Sequence, residues 1–360
     1  MRYSMLLLIK IGALSLLIAS SPVQGQTTTE TSAGRVPKSS VPEGDVRNAI
    51  RAAMPLIEKG AMGSAEHRKC FTCHHQAMPI LVMSEAKRIG FEVDPENLQR
   101  QIDHTHAHLR RGKKNYLAGK GQGGQVDTAG YALWALTEQT ADEVTDAVVE
   151  YLIQVVRDEQ HWSTSSKRPP SESSNVTASY VAMRGLKEFA RDARIDDVEK
   201  FVEPVLSWLD EQPKTLTEDL VFGLRLRSLL APDDPKTAQL ADDPLNRQRE
   251  DGGWSQTSEM QSDAYATGTA IVALYQAKRL KPNSSAATSA IRFLLNEQQS
   301  DGSWHVKSRS KPFQEYFETG YPHGDDQFIS MSAACWSTWA LLLGLDQNGA
   351  SPKAEPPEKK

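Results

Sequence analysis

Cys70-Phe71-Thr72-Cys73-His74 sets two thiols and an imidazole within five consecutive residues, and this spacing suits one chemistry in particular. Two cysteines separated by two residues can bond the vinyl groups of a haem, and a histidine directly after the second can ligate the iron, as in covalent c-type haem attachment. Three other readings stay open: a CxxC disulfide, a zinc site of Cys70, Cys73, His74 and one further ligand, or helical residues with no special chemistry. None of these needs His74 where it stands. The second short-spaced Cys pair on which a four-ligand zinc site usually draws is absent, because the third cysteine, Cys335, stands alone in an apolar stretch.

A haem on His74 leaves the opposite axial position to fill. Met78 is four residues on and lies on the same helix face, so it does not reach the far side of the iron. His323 and the histidines of His104-Thr-His-Ala-His108 are the candidate distal ligands, as is no protein ligand at all. His104 and His108 would share a helix face and His106 would not. The ordinary reading of that segment, beside Arg110-Arg-Gly-Lys-Lys114, is a solvated helix end.

The compartment in which the cysteines mature is read from the N-terminus. A basic start at Arg2, an apolar run from Met5 through Ala19 and small residues near Val23-Gln24-Gly25 form a signal-peptide pattern over 1–25. The mature protein is therefore expected to be periplasmic or secreted, where haem attachment and disulfide formation are both permitted. A retained anchor is the alternative, and no other stretch approaches the roughly 18 uninterrupted apolar residues of a membrane span. Residues 26–43 and 346–360 are polar and rich in Pro or small residues and read as disordered, which leaves 44–345 as the folded body. A net charge of −5 gives no reason to expect nucleic acid. Three cysteines do not make a disulfide framework, so a packed core must supply the stability.

The elements that position the motif are repetitive. Gln248-Arg-Glu-Asp-Gly-Gly-Trp254 and Gln298-Gln-Ser-Asp-Gly-Ser-Trp304 share Gln, Asp-Gly and Trp at one spacing. Each follows a helical apolar pattern and precedes an Ala-rich helical one, at Asp263 to Leu274 and Met331 to Leu345. Similar Ala-rich or small-residue helices are predicted at Asp127 to Leu136, Asn175 to Leu186 and Glu218 to Leu230. Aligned on Leu136, Leu186, Leu229, Leu274 and Leu341, they recur at spacings of 50, 43, 45 and 67 residues. The last spacing is lengthened by an insertion from His305 to Phe328. Weaker turn signals stand at Asp158-Glu-Gln-His-Trp162 and Trp208-Leu-Asp-Glu-Gln212. A sixth pair fits upstream, with Val46 to Lys59 as one helix and the CxxCH segment leading the next, so 44–120 would hold the first repeats and 121–345 the others.

The Gln…Asp-Gly-x-Trp turns, the small-residue helices and the count of six pairs resemble the terpenoid cyclase and protein prenyltransferase family, above all the squalene–hopene cyclase C-terminal repeats. The whole chain is also similar to an exported bacterial subgroup that joins this repeat to CxxCH-His-Gln and to a segment like Gly302-Ser-Trp-His-Val…Tyr316-Phe-Glu-Thr-Gly-Tyr-Pro-His-Gly324. The resemblance implies an all-α (α/α)6 toroid whose inner helices start at one rim. Cys70 to His74 would then open the first inner helix, with His74 at the cavity mouth and Gly302 to Asp326 as a lid. Asp127, Asn175, Glu218, Asp263, His323, Asp325 and Asp326 would gather at the same rim, and carboxylates at helix starts are commonly caps. Trp134, Tyr265, Trp336 and Trp339 would line a pocket or fill the core.

The family's DxDD acid motif is absent, as are DDxxD and the Asp-x-Cys zinc ligation of prenyltransferases, which argues against cyclase or prenyl-transfer chemistry even on this fold. Two functions stay open. One is a haem-bearing exported protein that binds or oxidises an apolar, isoprenoid-like molecule or passes electrons to a periplasmic redox partner. The other is a non-catalytic binding or scaffold toroid with a structural or metal-bound Cys pair.

Overall fold

The computed structural model describes residues 40–312 and 315–347; the signal peptide, most of the tether and nearly all of the tail read from the sequence lie outside the described residues. In chain order the helices are α1 (Glu43–His67), α2 (Met78–Arg88), α3 (Pro95–Leu117), α4 (Gln125–Ala135), α5 (Glu143–Gln154), α6 (Asn175–Phe189), α7 (Asp192–Glu199), α8 (Val202–Asp210), α9 (Thr217–Leu230), α10 (Pro235–Leu240), α11 (Asp242–Asn246), α12 (Ala264–Gln276), α13 (Ser285–Glu297) and α14 (Gln327–Gln347). The described residues hold isolated bridges but no strand.

Two kinds of helix alternate, and their burial separates them. In α12 every residue from Ala264 to Tyr275 is buried, so no polar face is left for solvent. In α13 only one stripe is buried, through Ala287, Thr288, Ala290, Ile291, Phe293 and Leu294. The first kind must be surrounded by protein on all sides; the second lies between core and water. Helices α2, α4, α6, α9, α12 and α14 form the inner set, each packed on the next, and α14 returns to α2. The ring is closed. Outside it lie α1, α3, α5, the pair α7–α8, the pair α10–α11 and α13, which completes six inner–outer pairs. Small residues permit the inner contacts: a Cβ on Gly268 of α12 would stand 2.7 Å from the Trp336 backbone of α14.

The Gln/Trp turns lock neighbouring pairs together. Gln248 Nε2 donates to the Gly252 carbonyl of its own turn and to Ala286 of α13, both at 2.9 Å. Gln298 repeats the device with Gly302 at 3.0 Å and Ala49 of α1 at 2.9 Å, so the last turn is tied to the first helix. Each tryptophan indole donates to a carbonyl ten residues upstream: Trp254 to Pro244 at 2.6 Å, Trp304 to Leu294 at 2.8 Å and Trp162 to Leu152 at 2.8 Å. Gly252 and Gly302 both have φ +92°, and a Cβ on either would stand 2.4 Å from a backbone oxygen of the next outer helix.

Three expectations are revised. Trp208 is not a turn tryptophan: it lies within α8 and stacks on His161 with ring centroids 4.7 Å apart. The first helix runs from Glu43 to His67, beyond the predicted Val46–Lys59, because its buried stripe continues through Gly60, Ala61 and Ser64. The tail begins later than predicted, since α14 includes Asp346, whose carboxylate pairs with Arg88 at 2.9 Å.

Candidate functional site

The CxxCH segment does open the first inner helix, through a π-helical turn over Cys73–Ala77 in which the Met78 N–H donates to the Cys73 carbonyl. Such wide turns are rare and are often found at functional sites. Thr72 starts it as a reciprocal cap. Its hydroxyl accepts from the His75 N–H at 3.3 Å, while Gln76 Oε1 accepts both the Thr72 N–H and its hydroxyl at 2.8 Å.

A chain of hydrogen bonds assigns the protons on the two histidines. Gln327 Nε2 donates to the Phe317 carbonyl, so its Oε1 is the acceptor for both the Thr319 N–H and the Thr319 hydroxyl. Thr319 Oγ1 has thereby given its hydrogen away and faces His75 Nε2 at 3.2 Å as an acceptor. His75 therefore carries its proton on Nε2. Burial, with His74 adding to it, holds this ring neutral, so its Nδ1 is bare. That atom lies 2.6 Å from His74 Nδ1, which must be the donor. Burial and then the Arg168 charge push the His74 pKa down to about 3, so His74 is neutral as well. Its Nε2 is left as an unprotonated lone pair, the form that binds a metal.

His74 lines two adjoining cavities, of 970 and 210 Å³. The larger also meets Cys70, Cys73, Asp127 and Glu172, and its rim carries Lys167, Arg168, Arg309 and Lys311. Its volume is at the upper end of what ligand sites offer. Cys70 is exposed, Cys73 is buried, and neither is in a disulfide. The Cys73 thiol donates to Glu172 Oε1 at 2.9 Å, and burial followed by the Glu172 charge raises its pKa well above the usual thiol range. Asp127, on α4, accepts from the Thr164 hydroxyl at 2.6 Å, while its Oδ1 is buried without a hydrogen-bond partner. Burial lifts its pKa to about 7 against the opposing Thr164 bond. At neutral pH it can give or take a proton.

The other predicted residues divide between this mouth and purely structural duties. Asp325 lines the smaller cavity with His74 and Phe328. Asp326 instead accepts from His305 Nε2 at 2.8 Å and from the Ser308 N–H at 2.7 Å. His323 hydrogen-bonds Ser303 at 2.9 Å and stacks on His305, and it lines neither cavity that reaches His74. Asp263 caps α12 through the Ala266 N–H. Asn175 accepts from the Thr164 N–H, and Glu218 bonds Thr177 and Tyr265 inside the ring. The His104–His108 segment is not a solvated helix end. His104 Nε2 meets the Cys70 carbonyl at 3.1 Å, His108 Nδ1 accepts the Phe71 N–H at 3.2 Å, and His106 turns away to Asp142. His104 and His108 thus clamp the CxxC loop from outside, a support role that suits neither as a distal ligand. Among the described residues no group of three or more His, Cys, Asp or Glu side chains converges as a metal site. The insertion after Trp304 does reach across the mouth, with Ser310 Oγ 3.2 Å from the Pro169 carbonyl and Arg309 on Gln256 at 3.1 Å.

No protein-family model and no curated protein matches the sequence. Solved structures do. The type II terpene cyclase MstE from Scytonema is 12% identical, covers 84% of this chain over 98% of its own and superposes with a TM-score of 0.55. A possible GH105-family member from Salmonella enterica is 12% identical at 0.56, over 85% of this chain and 96% of its own. A protein from Actinoplanes is 13% identical at 0.58, over 83% and 99%. The chain shares their α/α-toroid fold. MstE has also been captured with geranylgeranyl dihydroxybenzoate as its substrate.

Inside the toroid, three of the four aromatics singled out from the sequence surround a cation. Arg225 of α9 is 3% exposed, and its guanidinium carbon lies 4.7, 5.0 and 5.7 Å from the ring centroids of Trp134, Trp336 and Trp339. Tyr180 and Phe222 complete the cage at 4.6 and 5.3 Å. Tyr265 stands apart and donates its hydroxyl to Glu218 at 3.1 Å. Arg225 is not legible in the sequence, because one arginine in a helical pattern carries no spacing signal. The helix Gly324–Asp346 is long and apolar enough to cross a membrane, but as the last inner helix it is 83% buried within the protein.

Proposed function

We propose that this chain is an exported toroid that carries a c-type haem on Cys70, Cys73 and His74 at the mouth of its ring and holds an apolar, isoprenoid-like molecule there for oxidation or electron transfer. The observation that supports it most is the proton order Thr319–His75–His74, which leaves His74 Nε2 as a lone pair on a cavity shared with both thiols. A bound haem would supply one-electron chemistry at that cavity. The residues fit the group. Cys70 and Cys73 would hold it covalently and His74 would ligate the iron, while Lys167, Arg309 and Lys311 offer cations to its carboxylates. Asp127 would hold or release a proton beside the bound molecule.

The apolar ligand is supported by the fold shared with a terpene cyclase that binds an isoprenoid substrate and by the Phe328, Ile329 and Pro312 wall of the smaller cavity. Carbocation cyclisation is not: besides the missing DxDD, the aromatic faces that would stabilise a carbocation already surround the guanidinium of Arg225. Haem staining and the absorption spectrum of protein matured in a host competent for c-type haem test the reading. Covalent haem that is lost in Cys70→Ala and Cys73→Ala, with an altered spectrum in His74→Ala, is expected. Wild-type protein without covalent haem overturns it in favour of a binding toroid with a structural Cys pair.

A further inference from the structure

The Arg225 cage opens on a separate cavity, of 470 Å³, lined toward the C-terminal ends of the inner helices, whereas the His74 mouth is built at their starts. Around this cavity the orphaned donors converge. Arg225 Nε, Nη1 and Nη2, Arg184 Nε and Ser228 Oγ are all buried without a hydrogen-bond partner, and all three residues line it.

We propose that this cavity is a binding site for a small molecule with an oxyanion head, a carboxylate or a phosphate, and an apolar body. The head would take the guanidinium donors of Arg225 with Arg184 and Ser228, and the body would lie on Leu81 and the Trp134 and Trp339 faces.

The reason lies in what the resident groups leave unsatisfied. A guanidinium offers five N–H donors in a plane, and ring faces stabilise its charge without accepting those hydrogens in ordinary geometry. Burying a charge without a partner is costly, and filling the same space with Leu or Met would avoid the cost. Nearby groups do not remove it. The Tyr180 hydroxyl comes close enough to offer the guanidinium one neutral oxygen, outside good hydrogen-bonding geometry, and leaves the rest of the fork unpaired. Glu218, seven residues earlier on α9, also feels it but gives its two oxygens to Thr177 and Tyr265. Glu85 is engaged by Arg88, and Glu138 is exposed at the rim. Arg184 has a distant contact with Glu188, at 3.9 Å, through another nitrogen. The partial negative charge of the inner-helix C-termini favours cations here, yet it occupies none of these donors. A planar, bidentate acceptor is what matches the fork.

Tryptophan fluorescence of the full chain tests this directly, because Trp134, Trp336 and Trp339 flank Arg225. Dodecanoate, dodecyl phosphate, inorganic phosphate and the neutral dodecanol are titrated. A saturable change with dodecanoate or dodecyl phosphate, absent with dodecanol, is expected, and whichever anion binds tighter identifies the head. Binding should weaken at least about tenfold in Arg225→Met, whose melting temperature without ligand stays at or above that of the wild type. If Arg225→Met does not fold, Arg184→Gln and Ser228→Ala carry the test, each weakening binding by about threefold or more. The proposal is overturned if no anion gives a saturable response, if dodecanol binds as well, or if the variants keep wild-type affinity. These outcomes do not depend on haem, so they stand apart from the reading of the His74 mouth.

Discussion

His75 Nε2 and Thr319 Oγ1 lie 3.2 Å apart across a sequence separation of 244 residues. The long last connection therefore sets the protonation of the CxxCH histidines from the opposite end of the chain. Thr319→Val removes the acceptor and leaves a buried N–H unpaired, which is expected to cost roughly 1–3 kcal/mol in chemical denaturation. In haem-loaded protein the covalent link should persist while the midpoint potential rises, because a ligand without its outer partner is a weaker donor. An unchanged potential would mean that the relay does not reach the iron.

The buried acids give a pH dependence of definite sign. Burial raises Asp127 to about 7 and Glu218 to about 8, both above their unfolded values, so the folded state binds more protons between those limits. Stability from these groups is complete below the unfolded carboxyl values and falls as pH rises through the folded ones. His74 and His75 act oppositely, since their depressed values remove stability as pH falls below about 6.5. Above that point the acids alone remain. Unfolding free energy should decline from pH 6.5 to 8, by up to about 1.4 kcal/mol per pH unit for each group, and the melting temperature should fall with it. Glu218→Gln, which keeps the size and one of the two acceptor oxygens but does not titrate, should flatten that decline.

One turn ties the outer layer across the ring closure that α14 and α2 make inside. Gly302→Ala places a methyl group 2.4 Å from the Ala52 carbonyl oxygen at a left-handed φ of +92°, and should lower stability by roughly 2–5 kcal/mol. Gln298→Ala loses the bonds to Ala49 and Gly302 and should cost about 1–3 kcal/mol. Urea titration of both variants measures this. A Gly302→Ala protein as stable as the wild type would show that this turn does not hold the closure.

The tryptophan turns are testable singly. Trp304→Phe leaves the Leu294 carbonyl without its indole donor and opens a small void, for an expected loss of roughly 2–4 kcal/mol by calorimetry. Trp208→Phe should cost less, since a phenyl ring retains much of the stacking on His161. Equal losses would show that the turn bond contributes little.

The sequence disclosed the ring more fully than the site. Gln248, Trp254, Gln298 and Trp304 were legible because each repeats a local hydrogen-bonding device at fixed spacing. The inner helices were legible because they are apolar on every side. Trp208 misled because a Trp/Gln pair can also close the end of a helix, where Gln212 Nε2 donates back to the Trp208 carbonyl at 2.9 Å. At the mouth, Cys70, Cys73 and His74 were legible as a motif, but Thr319 was not. It shares the last connection with His323, by residue type the more obvious ligand, and only the folded contact distinguishes them. Glu172 and Arg225 were equally hidden, because what surrounds a buried side chain is a property of the fold and not of spacing.

The bond from Gln298 to Ala49 joins residues 249 positions apart, and its consequence is kinetic. Bringing such ends together carries an entropic cost on the order of 5 kcal/mol before any contact compensates it. The first outer helix must therefore wait, one flank uncovered, until almost the whole chain is present. A chain cut short before Gln298 would not be five-sixths of this protein but an arc with two adhesive ends, exposed to self-association throughout synthesis.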